Sequence, residues 1–217
     1  MKDNNDGVRA MHREDELADL FSQAEWIGKQ LFERNKVSGS SANMSFRHDD
    51  KIYITGSGTC FGNLNRSLFA ICNMTGKCLN NVTPSKELPL HLMMYMRDKT
   101  NVNAVIHTHS FYSTLWSCLE SDEKDTDVFP QYTPYLKMKL GKIVTVPYGK
   151  PGSEELFRNF RNSLTEANGY LLRNHGPVVV GKTLMDAFYC LEEMEESAHL
   201  AWELSLTGSR AKRIKND

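Results

Sequence analysis

The sequence predicts a single α/β domain with a three-layer α-β-α arrangement, in which a central, mainly antiparallel or mixed sheet is covered by helices. Helical and extended patterns are interspersed along the whole chain. Several pairs of short apolar runs are separated by too few residues for a helical crossover, which favours antiparallel pairing. A length of 217 residues suits one domain with a sizeable core.

The N-terminal part begins with a polar segment, residues 1–13, which we expect to be disordered. Apolar residues then recur at spacings of three and four from 14 to 35, and this stripe predicts an amphipathic helix. A serine and glycine cluster at 38–41 follows. The short runs 44–47 and 51–55 predict the two strands of a hairpin, with which the sheet begins.

The central part has a strand pattern at 68–73 and a helical pattern at 84–98. Proline is the first residue of that helical pattern, where a missing N–H is tolerated. The apolar run 103–107 predicts a buried strand whose last residues reach the edge of the sheet. A helix is expected at 111–119, and the polar run 120–127 predicts a surface loop.

The C-terminal part completes the alternation of strands and helices. A strand is expected at 142–146, and a helix opened by a serine cap at 153–165. The apolar runs 169–174 and 178–180 predict two strands on either side of a turn. A long helix from about 183 to 205 ends the pattern.

Composition excludes several classes of protein. The 26 Lys and Arg residues are balanced by 27 Asp and Glu, so no broad basic field favours nucleic-acid binding. No stretch approaches the ~18 apolar residues of a membrane span, and the polar start lacks the apolar core of a signal peptide. The five cysteines are scattered, which favours free thiols. We expect a cytoplasmic protein without a nucleic-acid or membrane partner.

Three histidines are candidate metal ligands. Side chains two residues apart project to the same face of extended backbone, so His107 and His109 can reach one ion. His175, in an N-H-G-P turn, offers a third imidazole, and three histidines leave a coordination position open for substrate. Taken alone, the H-x-H pair is as readily one core and one surface histidine, and His175 is more often a loop histidine.

An acid and two small-residue turns are further candidates. Glu87 lies at the start of the helix predicted at 84–98, where the helix dipole favours a carboxylate. Taken alone it is more often a helix cap than a catalytic acid. The turns at 39–43 and 56–58 could present backbone N–H groups and hydroxyls to a phosphate, although each could be an ordinary turn.

These features occur together, in one order, in one known family. The segments concerned are Gly39-Ser-Ser-Ala-Asn43-Met-Ser, Ile54-Thr-Gly-Ser-Gly58, Pro84-Ser-Lys-Glu87, His107-Thr-His109-Ser and Asn174-His-Gly-Pro177. On them, from about residue 17 to 204, the chain resembles the class II aldolase/adducin family. Three further segments look most like the 3-oxo-tetronate 4-phosphate decarboxylases of that family: Pro84-Ser-Lys-Glu87-Leu-Pro-Leu-His91, Tyr132-Thr-Pro-Tyr135 and Glu192-Glu-Met-Glu-Glu-Ser-Ala198. Residues 14–217 would then form one catalytic domain.

The resemblance implies a metal site and an assembly. One zinc ion per subunit would be held by His107, His109 and His175. Glu87 would be the catalytic acid/base, and would also ligate the metal when no substrate is bound. The family further implies a cyclic homotetramer with sites between subunits, in which Tyr135 is the candidate to reach a neighbour's site. Tyr135 could equally be a packing aromatic in a Pro-flanked turn.

The resemblance also implies a phosphate site, formed by Asn43, Ser57, Gly58 and Ser85. The chain departs from the family pattern at Ala42, where glycine commonly stands, and at Lys86, which replaces a serine of the aldolases. Alanine enters positive φ less freely than glycine, so the loop geometry is in question. Lys86 adds a positive charge that could bind the substrate phosphate or its carboxylate, or it is a solvated helix residue.

The implied reaction is decarboxylation of a 3-oxo-tetronate 4-phosphate to dihydroxyacetone phosphate and CO2. The carboxylate is β to a ketone, so loss of CO2 leaves an enediolate that a metal can stabilise, and Glu87 would deliver a proton to the carbon from which CO2 has left. Retro-aldol cleavage by an L-fuculose-1-phosphate-type class II aldolase, the alternative, leaves the same enediolate, but Lys86 argues against it. A non-catalytic adducin-like interaction module is less favoured, because the chain keeps three histidines and the acid.

Overall fold

A computed structural model describes residues 3–98, 100–120, 127–207 and 211–214. The helices within these ranges are α1 (Asp3–Glu33), α2 (Leu88–Arg97), α3 (Phe111–Ser117), α4 (Tyr135–Leu140), α5 (Glu154–Asn162) and α6 (Leu184–Leu206). The strands are β1 (Asn43–His48), β2 (Lys51–Thr55), β3 (Phe69–Asn73), β4 (Ala104–His107), β5 (Ile143–Val146), β6 (Gly169–Leu172) and β7 (Gly176–Gly181). Two short 3-10 helices, Phe61–Asn63 and Arg66–Leu68, lie between β2 and β3.

The strands form one mixed sheet in the order β3-β2-β1-β4-β7-β6-β5. Neighbouring strands are antiparallel except for β5 and β6, which are parallel. The predicted α/β fold with a mainly antiparallel sheet is therefore confirmed. The middle of the sheet joins β1 to β4 and β4 to β7, strands that are far apart in the sequence.

Two apolar cores lie on opposite faces of the sheet and account for its three layers. Strand residues alternate between them: Ile106 packs into the first core with α1, α4 and α6, whereas Val105 packs into the second with α2 and α5. Ala24 and Leu191 are buried helix residues of the first core, and Met94 of the second. This alternation is what a strand covered on both faces requires.

Several element bounds differ from the prediction. Helix α1 begins at Asp3, within the segment 1–13 that was expected to be disordered. Helix α2 begins at Leu88 instead of 84, because Ser85 continues the pairing of β2 by donating its N–H to the Thr55 carbonyl at 3.2 Å. Helix α4 was not predicted. The loop expected at 120–127 lies largely outside the described residues. Within the part of the chain that the structure describes, no helix is long and apolar enough to cross a bilayer.

Candidate metal centre

The sheet brings the three candidate histidines into one cluster. His107 is the last residue of β4, His109 follows it, and His175 lies in the turn between β6 and β7. Pairing of β4 with β7 places the ends of these segments side by side. One nitrogen of each ring can be chosen so that all lie within 4.8 Å of one another. The Nε2 atoms of His107 and His175 are 3.3 Å apart.

The residues on either side of His175 have backbone conformations that define its turn. Asn174 has a φ of 53° and Gly176 a φ of 154°, both outside the usual range for L-residues. A Cβ on Gly176 would lie 2.3 Å from the Thr108 carbonyl oxygen. Only glycine allows the turn to approach the backbone between the other two histidines this closely.

The ring of His107 has a defined tautomer. Its Nδ1 lies 2.8 Å from the Pro177 carbonyl oxygen, which can only accept a hydrogen bond. Nδ1 therefore carries the hydrogen, and the lone pair is on Nε2, the atom that faces the cluster. A hydrogen bond from the distal nitrogen to a carbonyl is the usual way in which a metal-binding imidazole is oriented.

The surroundings keep all three rings neutral. Burial lowers the pKa of His107 to about 3, with a smaller contribution from nearby His109. Burial also lowers the pKa of His175 to about 3, with His107 adding to the effect. The pKa of His109, the exposed member, is lowered by desolvation as well. Neutral imidazoles offer free lone pairs without competition from protons at pH 7.

Glu87 lies next to two histidines of the cluster. It is the N-cap residue of α2, and its carboxylate oxygens lie 3.3 Å from Nε2 of His107 and 3.5 Å from Nε2 of His175. Oε2 accepts a hydrogen bond of 2.9 Å from the Asn43 side chain. Oε1 is buried and has no hydrogen-bond partner within the described part of the chain.

This arrangement fits a divalent cation. A buried carboxylate oxygen facing the lone pairs of neutral imidazoles is costly unless a cation or proton lies between them. Three imidazole nitrogens and one carboxylate oxygen are a common donor set for a transition metal. His107, His109 and His175 could hold such an ion, and Glu87 is within reach of it.

The candidate phosphate residues divide into two groups. Ser57 and Gly58 are exposed in the turn after β2, and the Ser57 N–H donates to the Thr83 carbonyl at 2.8 Å, so this turn lies beside the segment that contains Ser85. The Asn43 side chain instead points into the protein, towards Glu87.

The two departures from the family pattern have different outcomes. Ala42 is buried and does not have a positive φ, so the alanine causes no backbone strain. Lys86 is exposed next to Glu87, and a Cβ built on Gly152 would lie 3.2 Å from the Lys86 Cβ. The lysine thus lies between the start of α2 and the loop before α5.

Tyr135 lies elsewhere within the chain. It is the first residue of α4, 59% exposed, and lines a groove with Arg34, which follows α1, and with residues of α6 such as Tyr189. The described residues that line this groove include neither the histidines nor Glu87. Tyr135 therefore does not contribute to the cluster of its own chain.

The sequence analysis gave no role to two buried polar residues that the structure brings to notice. His91, one helical turn after Glu87, is completely buried and lies 2.6 Å from the Asn43 side chain. Glu195, also buried, accepts hydrogen bonds from the backbone N–H groups of Tyr112 and Ser113 at the start of α3. The spacing of four between Glu87 and His91 was a usable signal, because it places both on one helix face.

Fold and site together define an α/β protein with a candidate three-histidine metal centre at the strand ends of a mixed sheet. The family model described as "Class II Aldolase and Adducin N-terminal domain" matches residues 25–202. The chain belongs to this family, and the predicted resemblance is confirmed.

Individual relatives agree with this assignment. The chain is 34% identical to the 3-oxo-tetronate 4-phosphate decarboxylase of Haemophilus influenzae over 88% of its own length and 93% of the relative's. It is 37% identical to the L-fuculose phosphate aldolase of Methanococcus maripaludis, covering 78% of this chain and 89% of that one. A crystal structure of YgbL from Escherichia coli superposes with a TM-score of 0.84 at 32% identity, covering 91% and 94% of the two chains. Decarboxylases and aldolases are both carbon–carbon lyases, the enzyme class that the sequence predicts.

Proposed function

We propose that this protein decarboxylates a 3-oxo-tetronate 4-phosphate to dihydroxyacetone phosphate and CO2. The observation that carries the proposal is the cluster of three neutral histidines facing the unpartnered Oε1 of Glu87. Relatives named 3-oxo-tetronate 4-phosphate decarboxylase, 34% to 36% identical over most of the chain, supply the substrate class.

The histidines would hold the metal, and we propose zinc. Three imidazoles suit zinc, although cobalt, nickel and iron(II) accept the same donors. When bound, the ion would act as a Lewis acid that stabilises negative charge developing on the substrate oxygens as CO2 departs. The buried rings of His107 and His175 would keep their lone pairs on this position.

Glu87 would be the acid/base. It lies beside the cluster, with one oxygen fixed by Asn43 and the other free of hydrogen bonds. In its protonated form it would deliver a proton to the carbon from which CO2 has left. Before substrate binds, the same carboxylate is within reach of the metal position and would complete its coordination.

The phosphate would bind close to Glu87, where the segment before α2 meets the turn after β2. The Ser57–Gly58 turn and Ser85 supply hydroxyl and backbone groups on adjacent segments. Lys86, exposed beside them, would add attraction for the phosphate. Asn43 is a proposed phosphate ligand too: its NH2 group donates one hydrogen to Glu87 and has a second hydrogen for the phosphate.

A second candidate function is retro-aldol cleavage of a sugar phosphate such as L-fuculose 1-phosphate. The 37% identity to the Methanococcus maripaludis aldolase favours it. Both reactions leave the same enediolate, so the cluster and Glu87 serve either one. Lys86, where the aldolases have serine, is the feature of this chain that argues for the decarboxylase.

We further propose a homotetramer with sites between subunits. The exposure of Tyr135, remote from the cluster of its own chain, is consistent with its reaching a neighbour's site. We also propose that the protein is located in the cytoplasm.

The test is to supply the purified, metal-analysed protein with a 3-oxo-tetronate 4-phosphate and L-fuculose 1-phosphate in parallel. Release of CO2 with dihydroxyacetone phosphate from the first is expected. Aldehyde from the second substrate alone would make the protein an aldolase and overturn the proposal. Lys86→Ser should weaken use of the first substrate, which ties the result to the residue that distinguishes the two functions.

A further inference from the structure

A continuous row of buried hydrogen bonds leads away from Glu87 into the second core. The Asn43 amide lies 2.9 Å from Oε2 of Glu87, and Oδ1 of Asn43 lies 2.6 Å from Nε2 of His91. Nδ1 of His91 lies 2.7 Å from Oγ of Ser45, which lies 2.6 Å from the Tyr95 hydroxyl. His91, Ser45 and Tyr95 are each 0% exposed.

The backbone explains why these side chains meet. Asn43 and Ser45 are two residues apart on β1 and therefore project to the same face. His91 and Tyr95 are four residues apart on α2 and lie one above the other. Strand and helix thus supply alternate members of the row, and the strand end and helix start meet at Glu87.

The direction of every hydrogen bond follows from Glu87. Its carboxylate accepts, so Asn43 must present its NH2 there and its oxygen to His91. His91 therefore donates from Nε2, and its unprotonated Nδ1 accepts from the Ser45 hydroxyl, which in turn accepts from Tyr95. Burial lowers the pKa of His91 to about 3, in keeping with a neutral ring that carries one hydrogen.

We infer that His91 is a positioning residue for the reaction: by fixing which way the Asn43 amide faces, it holds Oε2 of Glu87 and leaves Oε1 for the proton and the metal. This inference rests on the proposed role of Glu87. Without the bond to His91, Asn43 could rotate, and its oxygen would then repel the carboxylate. A histidine that only filled the core would not need a hydrogen bond to the residue that holds the acid.

The test compares His91→Leu, which removes both bonds, with His91→Gln, whose amide can donate to Asn43 and accept from Ser45. We expect His91→Leu to lower kcat ~10–100-fold, as is common for groups that orient a metal site, with little change in KM. His91→Gln should recover most of the loss. Tyr170→Phe is the matched control for stability: it removes a buried hydroxyl of the same core that bonds to Thr165, and kcat should be unchanged.

A second readout does not depend on turnover. The visible spectrum of the protein loaded with Co²⁺ reports the metal's surroundings, so His91→Leu should alter it in the same way as Glu87→Gln, and His91→Gln should not. If neither substrate is turned over by the wild type, the proposed function fails while this spectrum still tests the positioning role. If His91→Leu does not fold, Asn43→Ala takes its place and should change the spectrum and kcat in the same direction.

Two results would overturn the inference. One is a folded His91→Leu protein, or Asn43→Ala protein, with wild-type spectrum and kcat. The other is full additivity of the effects of His91→Leu and Asn43→Ala on kcat, because a residue that acts through Asn43 has no further effect once Asn43 is gone.

Discussion

Replacing Glu87 by glutamine should nearly abolish turnover while leaving the metal bound. Glutamine has the same shape, and its oxygen can take the place of Oε2 and accept the 2.9 Å hydrogen bond from Asn43. Its NH2 group then occupies the position of Oε1, 3.5 Å from His175, where it can neither take up a proton nor ligate an ion. The three imidazoles remain in place to hold the metal.

The size of the loss follows from the role of the group. A positioned acid/base contributes ~10²–10⁴-fold, which is about 2.7–5.4 kcal/mol of barrier. Stability of the metal-free protein should not fall, because an unpaired buried charge is replaced by a neutral amide. The measurements are kcat on the substrate that the wild type uses, metal content by elemental analysis and unfolding in urea.

Glu195→Gln provides the matched control. Glu195 is also a buried carboxylate, but it accepts two backbone hydrogen bonds, at 2.8 and 2.9 Å, at the start of α3. Glutamine keeps one acceptor there and sets an NH2 group against the other N–H, so stability should fall by about 1–3 kcal/mol with turnover retained. Near-normal kcat in Glu87→Gln would refute the assignment and move proton transfer to another residue, with Tyr135 the next to test.

Three further predictions concern the cluster and its supports. His109→Ala should lose its metal on dialysis, by elemental analysis, because only two imidazoles remain; full retention would disprove the ligand assignment. Gly176→Ala should lower the free energy of unfolding in urea by at least about 3 kcal/mol, since its Cβ would meet the Thr108 carbonyl at 2.3 Å. Gly39→Ala, with open space around a φ of 55°, should lose less, and equal losses would contradict the steric argument. His91 has a pKa of about 3 in the folded chain, so between pH 6.5 and that value it is protonated in the unfolded chain only. As the pH is lowered through this range, the free energy of unfolding should fall by up to about 1.4 kcal/mol per pH unit because of this group. A urea titration of His91→Gln should show a shallower fall, and an unchanged slope would rule out His91 as a source.

Local patterns in the sequence were enough to predict the strands and most helices. Short apolar runs predict strands such as β2, because both faces of the sheet are covered, and the three-and-four spacing of apolar residues predicts α1. Helix α4 was missed because its 6 residues are too few to show a helical period, and Pro134 precedes it. The start of α2 was misplaced because residue 85 is fixed by the end of β2, a contact that local propensity does not contain.

The candidate site was only partly predictable for the same reason. The H-x-H spacing and the family motifs pointed to His107, His109, His175 and Glu87, which the structure brings together. The sequence could not reveal that Asn43 faces Glu87 and not solvent. That contact depends on β1 lying next to β4, a pairing between segments about sixty residues apart.

The sheet register links Glu87 to the candidate metal ligands. In the β1–β4 ladder Asn43 is directly opposite His107, so the residue that holds Glu87 and the first histidine are cross-strand partners. A slip of one residue would turn Asn43 to the other face and separate it from both Glu87 and His91. The pairing of Ser45 with Val105 and Phe46 with Ala104 in the same ladder resists such a slip, because it would bury Ser45 in the first core and move Phe46 out of it. The hydrophobic pattern of β1 thus sets the geometry of the candidate site as well as the fold.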